Sequence, residues 1–249
     1  MGGFIMTLQP KIFLTAVILA GGRGKRMEGN IPKVLIEVEG KPMIKRIVEA
    51  VTMPLVKRII VVVGIHHEEI KAVLPKNIDY VYQDEPKGTA DAFIKALEII
   101  NNDEINLILP ADLPYLDTEK VKQIIDYYLL MPNLPLVVGM KVNNPTGYGR
   151  LFFNEGMLFK IIEEKQANEE QKKINFINTG IYVFPSSLVR PLMKKIKPHY
   201  QINEFYLTDL IALLSKRMMV RTIIFSEDYR LKGVNHLSAL QTLIEEKNR

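Results

Sequence analysis

Three glycines and three cations share one short run, Gly21-Gly22-Arg23-Gly24-Lys25-Arg26. Glycines there let backbone N–H groups approach a phosphate with no Cβ in the way. The run follows an apolar stretch, residues 16–20, that reads as a strand. It matches neither common phosphate loop. The dinucleotide fingerprint G-x-G-x-x-G needs glycine at 27 and finds Met27. The Walker A pattern needs Ser or Thr after a correctly spaced Gly-Lys pair, and none follows. Further on, Pro32-Lys33-Val34-Leu35 sets a lysine beside a proline that stiffens the loop. A stiff loop holds an ammonium at a fixed point, which suits a phosphate. Gln83 offers amide donors and an acceptor, enough to pair with a pyrimidine edge. Asp112, in Leu109-Pro110-Ala111-Asp112, closes an apolar run. Ligands bind at carboxyl ends of parallel strands, and a carboxylate there is a natural magnesium ligand. The same aspartate also suits a turn cap.

The elements that must carry these residues alternate. Apolar, β-rich runs lie at 16–20, 59–63, 80–82, 106–109 and 136–140. Several are continuously apolar, as in strands covered on both faces. Helical periods fall between them. Residues 118–130 put Val121, Ile124, Ile125, Tyr128 and Leu129 on one face, and residues 89–100 do the same with Ala90, Phe93, Ile94 and Leu97. This rhythm predicts an α/β protein, a doubly wound, mainly parallel sheet. Past residue 140 it changes. Short strands at 151–153, 159–162 and 176–184 predict a small antiparallel excursion, and helices are expected again at 204–214 and 236–246. No repeat or linker divides the chain, so one domain over residues 1–249 is expected.

The 249 residues are 47% apolar and 24% charged, which excludes a disordered chain. No apolar run reaches 18 residues, so no membrane span is expected. Lys11 before the apolar stretch superficially resembles a leader, but the charged glycine loop that follows favours a buried first strand. The net charge of +5 suits anionic ligands, and no nucleic-acid module is recognisable. The absence of cysteine removes thiol nucleophiles and Cys-ligated metals and fits a cytoplasmic protein.

The string Ala-Gly-Gly-x-Gly-x-Arg-Met, followed by Pro-Lys-Val-Leu, resembles the signature of sugar-1-phosphate nucleotidyltransferases. More segments continue the likeness in order: Gly40-Lys41-Pro42-Met43-Ile44, Gln83 to Ala92, Asn144 to Arg150, Ile162 to Ala167, Ile177 to Ile181, Asn203 to Asp209 and Gly233-Val234-Asn235. From about residue 16 to 243 the chain is similar to the uridyltransferase domain of bacterial N-acetylglucosamine-1-phosphate uridyltransferases. The resemblance implies a Rossmann-like nucleotidyltransferase sheet. It implies UTP and N-acetylglucosamine 1-phosphate as substrates, with Mg²⁺ as cofactor. Ala20, Gly21, Gly22, Gly24, Gln83, Gly88 and Thr89 would bind the nucleotide. Arg26 and Lys33 would be catalytic, touching its phosphates. Gly149, Glu163 and Asn178 would bind the sugar phosphate, and Asp112 and Asn235 would hold the metal. The four histidines, His66, His67, His199 and His236, fall outside these motifs. None is needed as a base, because a phosphate monoester with a second pKa of about 6 is already largely dianionic.

The chain also departs from the pattern. The family often has alanine where Gly21 stands, Tyr-Gly-Asp where Pro110-Ala111-Asp112 stands, and Gly-His where Ala90-Asp91 stands. The Gly-Thr-Ala-Asp-Ala form is similar to glucose-1-phosphate nucleotidyltransferases, which leaves glucose 1-phosphate with UTP or dTTP as an alternative. A non-catalytic nucleotide-sugar sensor on the same fold is another. The family's bifunctional members carry a hexapeptide-repeat acetyltransferase. The sequence shows no such repeats, so no acetyltransferase activity is expected.

Overall fold

A computed structural model describes residues 12–22, 32–199, 203–234 and 237–248. The strands are β1 (Leu14–Leu19), β2 (Glu37–Val38), β3 (Lys41–Pro42), β4 (Val56–Val63), β5 (Asp79–Tyr82), β6 (Ile105–Pro110), β7 (Leu136–Lys141), β8 (Arg150–Asn154), β9 (Met157–Ile162), β10 (Phe176–Pro185) and β11 (Arg221–Ser226). The helices are α1 (Met43–Val51), α2 (His67–Val73), α3 (Thr89–Leu97), α4 (Thr118–Leu129), α5 (Glu169–Lys172), α6 (Ser186–Met193), α7 (Asp209–Leu214) and α8 (Leu237–Lys247).

The main sheet runs β11-β7-β10-β6-β1-β4-β5. β5, β4, β1 and β6 are mutually parallel, as are β7 and β11, whereas β10 runs antiparallel to both β6 and β7. Alternation within β1 shows why the sheet needs helices on both faces. Ala16 and Ile18 join the core under α1 and α4, with Ile47, Val51, Ile124 and Tyr128. Val17 joins the opposite core under α3, α6 and α7, with Phe93, Leu97, Leu192 and Leu210. A strand buried on both sides cannot afford a polar face, hence the continuously apolar runs.

Three expectations change. Residues 176–184 form a strand, but it lies inside the main sheet; the antiparallel excursion is the β8–β9 hairpin, joined to β10 through Arg150 and Ile177. The helix expected over 204–214 starts only at Asp209. Its apolar periodicity is real, since Leu207, Leu210, Ile211 and Leu214 are buried. However, the backbone before it is bound elsewhere: Phe205 N–H donates to Lys87 O at 2.7 Å, and Ala90 N–H donates to Phe205 O at 2.9 Å. Finally, β11 adds an edge strand that the apolar runs above did not include. Its Thr222-Ile223-Ile224-Phe225 is only half-covered and so lacks the buried-strand signature.

Candidate active site

The carboxyl ends of β1, β4 and β6 open onto a cleft of about 710 Å³. That volume is in the range of ligand sites. In strand order, Gln83 follows β5, Gly64 follows β4, Gly21 follows β1 and Asp112 follows β6, with Asn178 on the neighbouring β10. All five line the cleft.

At the β5 side the backbones crowd together. A Cβ on Gly64 would lie 3.0 Å from Gly21 O, and one on Gly21 would lie 2.5 Å from Gln83 Oε1. Gln83 is 2% exposed. Its amide nitrogen donates to Asp91 Oδ2 at 2.6 Å and to Gly88 O at 3.3 Å. Gly88 has φ 102° and ψ 179°, a region essentially reserved for glycine. The reason is the segment after Asn203: a Cβ on Gly88 would lie 2.4 Å from Phe205 O. Thr89 Oγ1 accepts from Leu207 N–H at 2.9 Å, so its hydroxyl also fastens this segment. Ala20 continues the sheet, donating its N–H to Val62 O at 2.8 Å, and Gly22 has open space where a side chain would be. Gly24 and Arg26 lie outside the described residues.

At the centre, Pro32 leads into a short 3₁₀ turn, Lys33–Leu35. It delivers Lys33 Nζ to 2.6 Å from Asp112 Oδ2, with the side chains 23% and 18% exposed. The expected cation and the expected metal ligand therefore meet as an ion pair. Asn235 lies outside the described residues. The segment leading to it is fastened to Asp112, however, since Val234 N–H donates to Asp112 O at 2.9 Å. Asp228 anchors the start of that segment: burial works to raise its pKa, but Arg230 and Lys120 outweigh this and hold it at about 2.

Among the described residues no group of three His, Asp or Glu could hold an ion by itself. Magnesium does not need one, because it usually keeps waters and substrate phosphates beside one or two carboxylates. Asp112 fits that requirement. A Cβ at Gly233 would stand 3.5 Å from Asp112 Oδ1, so glycine keeps this flank of the carboxylate open.

On the β10 side the three expected sugar-phosphate residues converge. A Cβ on Gly149 would be 3.4 Å from Glu163 Oε2 and 3.6 Å from Asn178 Cβ. Asn178 N–H donates to Gly149 O at 2.8 Å. The register of β10 shifts between Asn178 and Tyr182, and Gly180 there has φ 79°. Irregularities of this kind re-aim side chains next to sites. Asn178 Nδ2 donates to the Tyr182 hydroxyl at 2.7 Å. Burial, with the nearby Glu163 charge, pushes that phenol well above its usual range. Burial also pushes the Glu163 carboxyl up, against a 2.9 Å hydrogen bond from Thr208 Oγ1.

Asp91, Thr208 and Tyr182 were not among the expected site residues. Thr208 was within reach, inside the Asn203 to Asp209 run. Asp91 was within reach too, inside the Gln83 to Ala92 run, whereas Tyr182 carries no signal of its own because it meets Asn178 only through the fold.

A family model described as nucleotidyl transferase matches residues 15–229. A protein of Acanthamoeba polyphaga mimivirus named as a probable UDP-N-acetylglucosamine pyrophosphorylase is 39% identical over 210 residues, 82% of each chain. The bifunctional protein GlmU of Caldanaerobacter subterraneus is 36% identical over 223 residues, 89% of this chain; the chain spans about half (49%) of that relative. In fold, the chain is similar to a Bacillus anthracis protein assigned as a glucose-1-phosphate thymidylyltransferase (TM-score 0.75, 21% identity, 94% of each chain). It is also similar to a UDP-glucose pyrophosphorylase bound to UDP-glucose (TM-score 0.74, 19% identity, 96% of this chain and 100% of that one). With a cleft of this geometry and a family match spanning most of its length, the chain belongs to the nucleotidyl transferase family.

Proposed function

We propose that the cleft transfers a uridylyl group from UTP to N-acetylglucosamine 1-phosphate, giving UDP-N-acetylglucosamine and pyrophosphate. One observation carries the reading: a buried glutamine amide, a Lys–Asp pair and the polar cluster of Gly149, Glu163 and Asn178 follow one another across the strand ends of a single cleft. The name of the relative at 39% identity, a probable UDP-N-acetylglucosamine pyrophosphorylase, supports the choice of sugar and base.

The chemistry needs little beyond placement and charge. An oxygen of the sugar phosphate attacks the α-phosphorus of UTP, and the bond from that phosphorus to the β-phosphate bridging oxygen breaks. The attacking oxygen is already anionic, so no base is required. The difficulty is repulsion, since two unit charges 4 Å apart interact by about 4 kcal/mol at an effective dielectric of 20. Lys33 supplies fixed positive charge for the phosphates, joined by Arg26, which lies outside the described residues. Asp112 would hold Mg²⁺, with Asn235 as its second ligand; when bound, the ion neutralises phosphate charge in the transition state. Gln83 reads the base, with Ala20, Gly21, Gly22 and Gly24 along the nucleotide. Gly149, Glu163 and Asn178 orient the sugar. This is catalysis by positioning and electrostatics. The lack of cysteine is in keeping with a cytoplasmic protein.

The test is pyrophosphate release with Mg²⁺ across a panel of UTP and dTTP, each with N-acetylglucosamine 1-phosphate and with glucose 1-phosphate. The expected result is preference for UTP with the acetamido sugar. Preference for glucose 1-phosphate would replace the substrate and keep the mechanism. No release with any pair would favour a sensor.

A further inference from the structure

The Gln83 amide is held from two sides. Its nitrogen donates to Asp91 Oδ2 and to Gly88 O. A carboxylate and a carbonyl only accept hydrogen bonds, so the nitrogen must face them and the oxygen must face away. Both N–H donors are then used. Among the described residues none donates to Oε1. That oxygen points at Gly21, where only the missing Cβ leaves it room. The side chain therefore presents the cleft with one acceptor and no donor. Asp91 sits in the first turn of α3, where the helix N-terminus favours a negative charge.

An acceptor held in this way chooses among bases. Uracil and thymine present N3–H to it. Cytosine seated in the same place presents a lone pair at N3, and two acceptors would face each other in a site where Gln83 is almost wholly buried; its N4 amino group reaches the acceptor only if the ring shifts. An amide free to turn could offer cytosine its N–H instead. We propose that Asp91 is a positioning residue for base choice: it locks the Gln83 amide with its carbonyl toward the nucleotide, admitting uracil and thymine rings and rejecting cytosine. This rests on the reading of the cleft as a UTP site. Gly21 and Asp91, two of the positions where the chain departs from the family pattern, thus meet at one side chain.

The experiment is steady-state kinetics with UTP, dTTP and CTP at fixed N-acetylglucosamine 1-phosphate, with thermal unfolding to check each fold. Asp91→Asn keeps the size but offers an amide that donates or accepts, which frees Gln83 to turn. The expected result is a roughly tenfold loss of UTP-over-CTP preference in kcat/KM, the share of one hydrogen bond, expressed more in KM than in kcat. In a Gln83→Ala background the same substitution should change the preference less than twofold. Undiminished preference in Asp91→Asn overturns the proposal, and so does a loss that persists in the Gln83→Ala background. If Asp91→Asn does not fold, Asp91→Ala takes the carboxylate away altogether and leaves the Gln83 nitrogen without that acceptor. Preference must then fall, and its retention overturns the proposal. A wild-type protein that favours a base without a ring N–H contradicts the UTP reading instead.

Discussion

Gly88→Ala places a Cβ 2.4 Å from Phe205 O and 2.9 Å from Phe205 N, on backbone that has nowhere to go. The residue's φ of 102° with ψ of 179° adds a strain of roughly 1–3 kcal/mol for any side chain. Relief requires the segment after Asn203 to lift. That would sacrifice the bonds from Phe205 N–H to Lys87 O and from Ala90 N–H to Phe205 O, each about 0.5–1.5 kcal/mol net. The expected destabilisation is therefore on the order of 3 kcal/mol, or about 6–12 °C in Tm for a chain of this size. Function should suffer as well, because the same segment carries Thr208 to Glu163. We expect KM for the sugar phosphate to rise more than KM for UTP. Thr89→Ala provides a graded comparison for stability: within the fold it removes the Leu207 N–H acceptor and should cost about 1 kcal/mol. Urea unfolding and initial rates measure both. A Gly88→Ala protein within 0.5 kcal/mol of wild type on the scale of ordinary surface substitutions, with unchanged KM, would refute the reasoning.

Other expectations follow from the same contacts. Lys33→Ala should lower kcat by roughly tenfold or more, since it removes charge at the phosphates; a pure KM effect in the same assay would mean uniform binding instead. Glu163 is raised by burial above its ordinary 4.5. As pH climbs past that value the unfolded chain ionises first, so the residue's contribution to stability falls. Glu163→Gln should therefore raise Tm relative to wild type more at pH 7 than at pH 4 while raising KM for the sugar phosphate, as calorimetry and kinetics would show. Asp228 is lowered from 3.8 to about 2, so its contribution is present above pH 3.8 and is lost as pH falls toward 2. Lys120→Met should start acid unfolding at higher pH, followed by circular dichroism.

The parallel half of the fold was readable because strands buried on both faces must be apolar throughout. β1, β4 and β6 therefore announce themselves, and so do α3 and α4 by their period. β10 was readable as a strand but not as a central one, since its place depends on partners that local pattern does not name. The start of α7 misled for a related reason: residues 204–208 have helical spacing, but Lys87 and Ala90 claim their backbone groups. The expected site residues all sit in motifs. Lys33 and Asp112 were found separately, and only the fold makes them a pair. Asp91 and Tyr182 accept hydrogen bonds from Gln83 and Asn178, contacts that only the fold makes.

Transfer of the uridylyl group to a sugar phosphate, with Asp112 at the reacting phosphates, is open to direct test. The most direct measurement follows UTP labelled at the α-phosphate, with N-acetylglucosamine 1-phosphate and Mg²⁺, in wild type and Asp112→Ala. Label is expected in the sugar nucleotide with one pyrophosphate released per transfer, with near-complete loss of transfer in Asp112→Ala at any magnesium level. Label appearing as UMP, or wild-type transfer by Asp112→Ala, would contradict it.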